Sequence, residues 1–202
     1  MTPQAFQAAT GVSRETLGRL EAYAALLVKW QARINLVGPA TLPELWRRHM
    51  LDSAQLFPLL PGGGPIVDLG SGAGFPGLVL AALGAPDVHL IESDSRKCAF
   101  LREAARVMGV SATVHNVRIE SAPGFPAAAV TARALAPLAR LLDWAERFVA
   151  PGTRCLFLKG QGFEDELTEA RKAWSITFEG VASRSDPSGI ILLLSEVKRV
   201  PA

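Results

Sequence analysis

The chain has 202 residues, 49% of them apolar and 20% charged. That balance excludes a disordered polyelectrolyte, and the length leaves room for one large domain with a modest appendage rather than two full domains. A net charge of +2 and a pI near 8.7 admit a polyanionic partner without requiring one.

From Ser13 to Leu36 the residues Leu17, Leu20, Tyr23, Ala24, Leu27, Trp30 and Ile34 recur at three- and four-residue steps, the stripe of an amphipathic helix with Ser13 at its start. A second helical stretch is expected over Leu42–Leu60, stopped by Pro61 and the run Gly62-Gly63-Gly64. Residues 1–61 thus read as an N-terminal helical extension packed on the core, and residues 65–202 as the main domain, the two forming one structural unit. Beyond the glycines, strands are expected at Ile66–Leu69, Val88–Glu92, Ala112–His115, Val130–Arg133 and Arg154–Lys159. Helices are expected between them near Gly77–Leu83, Ser95–Met108, Leu138–Val149 and Glu164–Trp174. That alternation implies right-handed crossovers and a parallel sheet covered on both faces. The tail breaks the rhythm: Ile176–Val181 and Ile190–Val197 are separated by too few residues for a helix and must form an antiparallel hairpin.

Met1–Thr10 lacks a basic, apolar leader, and no run approaches the roughly 20 apolar residues that span a bilayer. The chain is therefore expected to be cytoplasmic, with no membrane partner, and a monomer by default. Cys98 and Cys155 form no CxxC pair and no histidines stand at ligand spacing, so no metal is expected and both cysteines read as small buried hydrophobes.

The sharpest signal is Val67-Asp68-Leu69-Gly70-Ser71-Gly72-Ala73-Gly74-Phe75-Pro76-Gly77, a strand running through glycines into a helix. Gly72, Gly74 and Gly77 match the GxGxxG dinucleotide fingerprint, and Glu92 falls where an acid would hold a ribose, so a nicotinamide cofactor is one reading. S-adenosylmethionine (SAM) is the favoured one. Asp68 sits where an acid can approach a methionine ammonium, and Phe75-Pro76 weakens the anion cradle that a pyrophosphate needs. The closing hairpin also resembles the seven-stranded sheet of class I SAM-dependent methyltransferases. The expected fold is therefore α/β and Rossmann-like: a mostly parallel seven-stranded sheet with a terminal antiparallel hairpin and an N-terminal helical extension. Glu92 or Asp94 is the candidate ribose ligand. Ile119 can pack on an adenine face while Glu120 or nearby backbone reads its edge.

Six segments carry a more specific resemblance: Asn35-Leu36-Val37, Arg48-His49-Met50-Leu51-Asp52-Ser53, Asp68 to Gly77, Asn116-Val117-Arg118-Ile119-Glu120, Ala132-Arg133-Ala134 and Leu158-Lys159-Gly160. Together they resemble the bacterial RsmG (GidB) family. The resemblance implies methylation of guanine N7 in the 530 loop of 16S ribosomal RNA, with the RNA or a small-subunit assembly particle as partner. It also implies cofactor contacts at Gly70, Phe75, Ile119, Glu120 and Arg133, beside Asp68, Gly72 and Glu92. Ile119 departs from the small residue often found before the acid.

Guanine N7 offers an in-plane lone pair that carries no proton, so no catalytic base is expected and the rate should come from alignment. Arg133 is the one side chain with a possible catalytic part. His49 either hydrogen-bonds Asp52 on one helix or contacts cofactor or RNA. Candidate RNA contacts are Arg47, Arg48, Lys97, Arg140, Lys159, Lys198 and Arg199, with Arg133 and Lys159 singled out because both end parallel strands at the ligand-binding edge. Trp30 and Trp46 read as core, with base stacking as the alternative. A methyltransferase acting on another RNA, a protein or a small molecule, an NAD-dependent oxidoreductase and a SAM-binding sensor remain as alternatives.

Overall fold

The computed structural model describes residues 1–201. Seven strands form one sheet in the order β3-β2-β1-β4-β5-β7-β6. They are β1 Ile66–Leu69, β2 Val88–Glu92, β3 Thr113–Asn116, β4 Ala129–Arg133, β5 Arg154–Lys159, β6 Trp174–Ala182 and β7 Ile190–Arg199. The first five run parallel, and β7 enters antiparallel between β5 and β6, as the hairpin argument requires.

Alternating side chains divide the core. On one face Ile66, Leu90, Leu156 and Leu158 pack with helices α4 (Gly77–Ala82) and α5 (Ser95–Met108). On the other Val67, Leu69, Val130 and Phe157 pack with α6 (Leu138–Ala145) and α7 (Phe163–Ala170). This two-sided burial explains why the inner strands are apolar at nearly every position.

The first cluster also takes in the N-terminal segment. Helix α2 (Arg14–Gln31) starts at Ser13, whose Oγ accepts from Thr16 N at 3.0 Å, and buries Leu17, Leu20, Tyr23, Ala24 and Leu27. Trp30 meets Phe100 with ring centroids 5.7 Å apart, and Trp46 meets Phe6 at 5.4 Å, so both tryptophans pack inward. Helix α1 (Pro3–Thr10) was not anticipated, although Thr2 caps it, Pro3 opens it and Gly11 closes it in the left-handed region.

The expected helix over Leu42–Leu60 is instead broken. A 3-10 turn at Pro39–Glu44, a π-helical turn at Trp46–Leu51, a single turn α3 (Asp52–Ala54) and a 3-10 turn at Phe57–Leu59 replace it. Pro43 and Pro58 each remove a backbone donor, which prevents a continuous ladder. Likewise α7 ends at Ala170, and Trp174 opens β6 opposite Arg199 rather than closing a helix. Among the described residues no helix is long and apolar enough to cross a membrane. Cys98 and Cys155 are both buried and free.

Candidate active site

The carboxyl ends of β1, β2, β4 and β5 open into a two-lobed crevice. The larger lobe, of about 770 Å³, and the smaller, of about 400 Å³, share Gly70, Gly72, Ala134 and Leu135 as their common wall. Both sizes suit small-molecule binding.

The glycine loop between the lobes is stitched from below. Gly72 N donates to Glu92 Oε2 at 2.9 Å, Gly74 N to Ser71 O at 2.6 Å and Gly77 N to Asp68 Oδ2 at 3.2 Å. With these amides spent inside the protein, the loop does not offer the row of free donors that a pyrophosphate needs. Asp68 is wholly buried, and its Oδ1 accepts from Thr131 Oγ1 at 2.9 Å. It therefore lies beneath the crevice and lines neither lobe, which makes it a brace of the loop. Burial pushes its pKa up to about 6 against the pull of those hydrogen bonds. From the opposite side the buried Tyr23 hydroxyl of α2 donates to Ala73 O, and its ring lies 5.3 Å from that of Phe75.

The smaller lobe is lined by Ile91, Glu92, Lys97, Val117, Ile119, Glu120 and Trp144 among others. Glu92 ends β2, and its Oε1 accepts from Asp94 N at 2.8 Å. Asp94 caps α5 instead, accepting from Arg96 N at 2.8 Å and Lys97 N at 3.2 Å. Of the two candidate acids, Glu92 faces the lobe and Asp94 does not. Ile119 contributes an apolar wall, so a β-branched residue is accommodated at that position. Glu120 stands at the rim, accepting from Trp144 Nε1 at 3.0 Å and Arg140 at 3.2 Å.

The larger lobe joins parts distant in sequence. Arg133, at the end of β4, donates to Arg48 O at 3.1 Å and His49 Nδ1 at 2.9 Å, lies 3.6 Å from Asp52 and stacks 5.1 Å from the Phe75 ring centroid. A guanidinium only donates, so Nδ1 must accept and His49 carries its proton on Nε2, which donates to Thr41 Oγ1 at 2.8 Å. Burial, followed by the Arg133 and Arg48 charges, lowers the His49 pKa to about 3. His49 is therefore neutral and does not bond Asp52, so the first of its two expected roles falls away, and it lines the larger lobe. Asp52 accepts from Ser185 Oγ at 2.5 Å and from Gln55 at 3.1 Å.

The loop between β6 and β7 completes this lobe, a position that no motif in the chain assigns to it. Ser183, Ser185, Asp186 and Gly189 line the crevice. Arg47 donates to Ser185 O at 2.9 Å, and Arg48 pairs with Asp186 at 2.6 Å. The signal that was available is compositional: seven polar and turn-forming residues are more than a tight hairpin needs.

The basic candidates do not assemble into one face. Arg48, Arg133 and Lys159 line the larger lobe and Lys97 the smaller. Arg140 sits at the rim on Glu120, and Arg47 serves the loop backbone. Lys198 and Arg199 are at the far end of β7, opposite Ser175 and Trp174. Because Lys159 pairs with Ile190 at the start of β7, the antiparallel strand carries those two to the other end of the sheet. Arg199 is engaged there with Asp143 at 3.0 Å and Glu146 at 2.9 Å. Among the described residues no group of three or more His, Cys, Asp or Glu side chains is placed to hold a metal ion.

Residues 16–185 match the family described as rRNA small subunit methyltransferase G, or GidB. The chain is 64% identical over 200 residues, 98% of each chain, to ribosomal RNA small subunit methyltransferase G of Paramagnetospirillum magneticum. With the protein of the same name from Rhodospirillum rubrum identity is 58%, over 98% of this chain and all of the other. The chain belongs to this family. A TehB-like SAM-dependent methyltransferase from Corynebacterium glutamicum shares the fold at a TM-score of 0.59 and 16% identity, covering 87% of this chain and 96% of that one. Membership in the methyltransferase G family sets aside the oxidoreductase reading, in agreement with the spent amides of the loop. The crevice fits SAM: a carboxylate beside the smaller lobe for ribose hydroxyls, apolar walls at Ile91 and Ile119 for a purine, and Cβ-free backbone at Gly70 and Gly72 joining that lobe to the larger one.

Proposed function

We propose that the chain methylates N7 of one guanine in the 530 loop of 16S ribosomal RNA, giving 7-methylguanosine, with SAM as methyl donor. One observation carries the choice of acceptor atom. Each titratable acceptor facing the larger lobe is already engaged: His49 with Arg133, Asp52 with Ser185, Asp186 with Arg48 and Glu166 with Lys159. A site whose carboxylates are ion-paired or hydrogen-bonded and whose histidine is neutral and already accepting offers no strong base, which suits a nucleophile that has no proton to lose, and guanine N7 is one.

Glu92 would hold the ribose, Ile119 and the Glu120 backbone the adenine, and Gly70 and Gly72 the methionine chain. The bound cofactor supplies an electrophilic methyl group on a charged sulfur. The chain's own residues orient: Arg133, fixed by Arg48 O, His49 and Phe75, presents a rigid cationic wall, and Phe75 beneath it excludes water. N7 faces the deep groove of A-form RNA, so the target must come from a loop or leave its stack to enter the lobe.

The test is methyl transfer from labelled SAM to 16S RNA and to small-subunit particles, both from cells lacking the endogenous enzyme, followed by mapping of 7-methylguanosine. Label at a single 530-loop guanine in either substrate is expected. Label on another atom or another RNA overturns the proposal.

A further inference from the structure

At the far wall of the larger lobe, Lys159 at the end of β5 meets Glu166 of α7, with Nζ and Oε2 2.6 Å apart. Both side chains line the crevice and are mostly shielded, at 11% and 31% exposed. Oε2 carries two contacts, from Lys159 and from Leu138 N at 2.7 Å, where it caps α6 in place of Pro137. Among the described residues Oε1 has no hydrogen-bond partner. Lys159 donates to Ala136 O at 2.6 Å and to Glu166, which leaves one of its three protons unspent. The pair therefore presents one free donor beside one free acceptor.

We infer that Lys159 and Glu166 read the guanine edge next to N7, the ammonium donating to O6 and Oε1 accepting from N1–H. This inference rests on the guanine reading given above. Gly70, Arg133 and Lys159 follow one another along the carboxyl edge, at the ends of the adjacent strands β1, β4 and β5. On guanine N7, O6 and N1–H follow one another in the same way. A base with N7 toward the glycine loop thus turns O6 and then N1–H toward β5 and α7. Adenine inverts the pattern, setting an amine against the ammonium and a lone pair against the carboxylate, so the same two groups repel it. Alkylation at N7 places positive charge on the ring and makes N1–H a stronger donor. The contact to Glu166 then tightens as the methyl moves, which favours turnover over ground-state binding.

The experiment uses the full chain, wild type and Glu166→Gln, on 16S RNA ligated to carry either guanine or 2-aminopurine at the target. The analogue keeps N7 and lacks both O6 and N1–H. Under single turnover, wild type is expected to prefer guanine by roughly tenfold to a hundredfold, the value of a charge-assisted hydrogen bond. Glu166→Gln keeps an oxygen for Leu138 N; it should slow on guanine and narrow the preference at least several-fold, with SAM affinity and thermal midpoint near wild type. A preference unchanged in the variant means Glu166 only caps α6 and neutralises Lys159, and overturns the inference. Equal rates on both bases by wild type overturn it whatever the variant does. If wild type forms no 7-methylguanosine on the guanine substrate, the proposed reaction itself fails, which is a different result from a lost preference.

Discussion

The two lobes of the crevice are built in different ways. The smaller is made mostly from short pieces, a strand end and the few residues after it, repeated at β1, β2, β3 and β4, with Trp144 of α6 beside them. The larger adds to the glycine loop segments far apart in the chain: Leu36 to Thr41, the turns around Arg48 and Asp52, the ends of β4 and β5, Glu166 of α7 and the β6–β7 loop. A lobe of local pieces is specified by glycines and single acids, whereas a lobe of distant pieces needs a hydrogen-bonded network to hold it. That difference predicts distinct responses to mutation on the two sides of the glycine loop.

The largest effect is expected at their common wall. Gly70 has φ +62, and a Cβ there would come within 2.5 Å of Leu135 Cδ1. Gly70→Val is strained by conformation and by contact, and it fills the backbone approach to both lobes. Calorimetry should show SAM affinity reduced by about a thousandfold or more. Unchanged affinity would place the cofactor elsewhere and dissolve the distinction between the lobes.

Arg133→Ala should separate the lobes. It removes the cation that ties Arg48, His49 and Asp52 to Phe75, yet Arg133 lines only the larger lobe. Transfer to RNA is expected to fall by about a hundredfold to a thousandfold, on the scale of losing one preorganised polar group. SAM affinity should change by less than about fivefold, because a contact confined to the acceptor side is worth under about 1 kcal/mol to cofactor binding. Equal losses in both measurements would show that Arg133 serves cofactor and acceptor alike.

The same division explains what the sequence revealed. Glu92, Ile119 and Gly70 were legible because each stands at a fixed offset from a strand end, and strand periodicity carries well in one dimension. Arg133 and Lys159 were legible for the same reason. Ser185 and Asp186 were not, because their partners lie across the molecule: Ser185 bonds Asp52 and Asp186 pairs with Arg48, each from more than a hundred residues away. Lys198 and Arg199 failed in the opposite way, since charge alone gave no position, and only the antiparallel course of β7 placed them at the far end. Within the glycine motif, Asp68 stands out in the sequence as an acid in an otherwise apolar strand. Its burial, set by the pleat of a strand covered on both faces, turned it from the pocket toward Gly77 and Thr131.

The smallest expected effect concerns two buried groups on either side of the loop, whose proton linkages oppose each other. His49 has its folded pKa lowered from 6.5 to about 3, so between those values the unfolded chain binds the proton and the folded chain does not. Its stabilising contribution is complete above pH 6.5 and is lost as pH falls toward 3. Asp68 has its folded pKa raised from 3.8 to about 6, so in that window the folded chain binds the proton and stability grows as pH falls. Each slope approaches at most about 1.4 kcal/mol per pH unit, and between pH 4 and 6 the two offset. Urea midpoints at pH 4, 5 and 6 should therefore diverge: relative to wild type, His49→Asn gains stability on acidification and Asp68→Asn loses it. Any fixed cost of either substitution drops out of the slope. If both variants follow the wild-type slope, neither group holds the protonation state assigned to it. The neutral His49 that leaves the larger lobe without a base would then have to be abandoned.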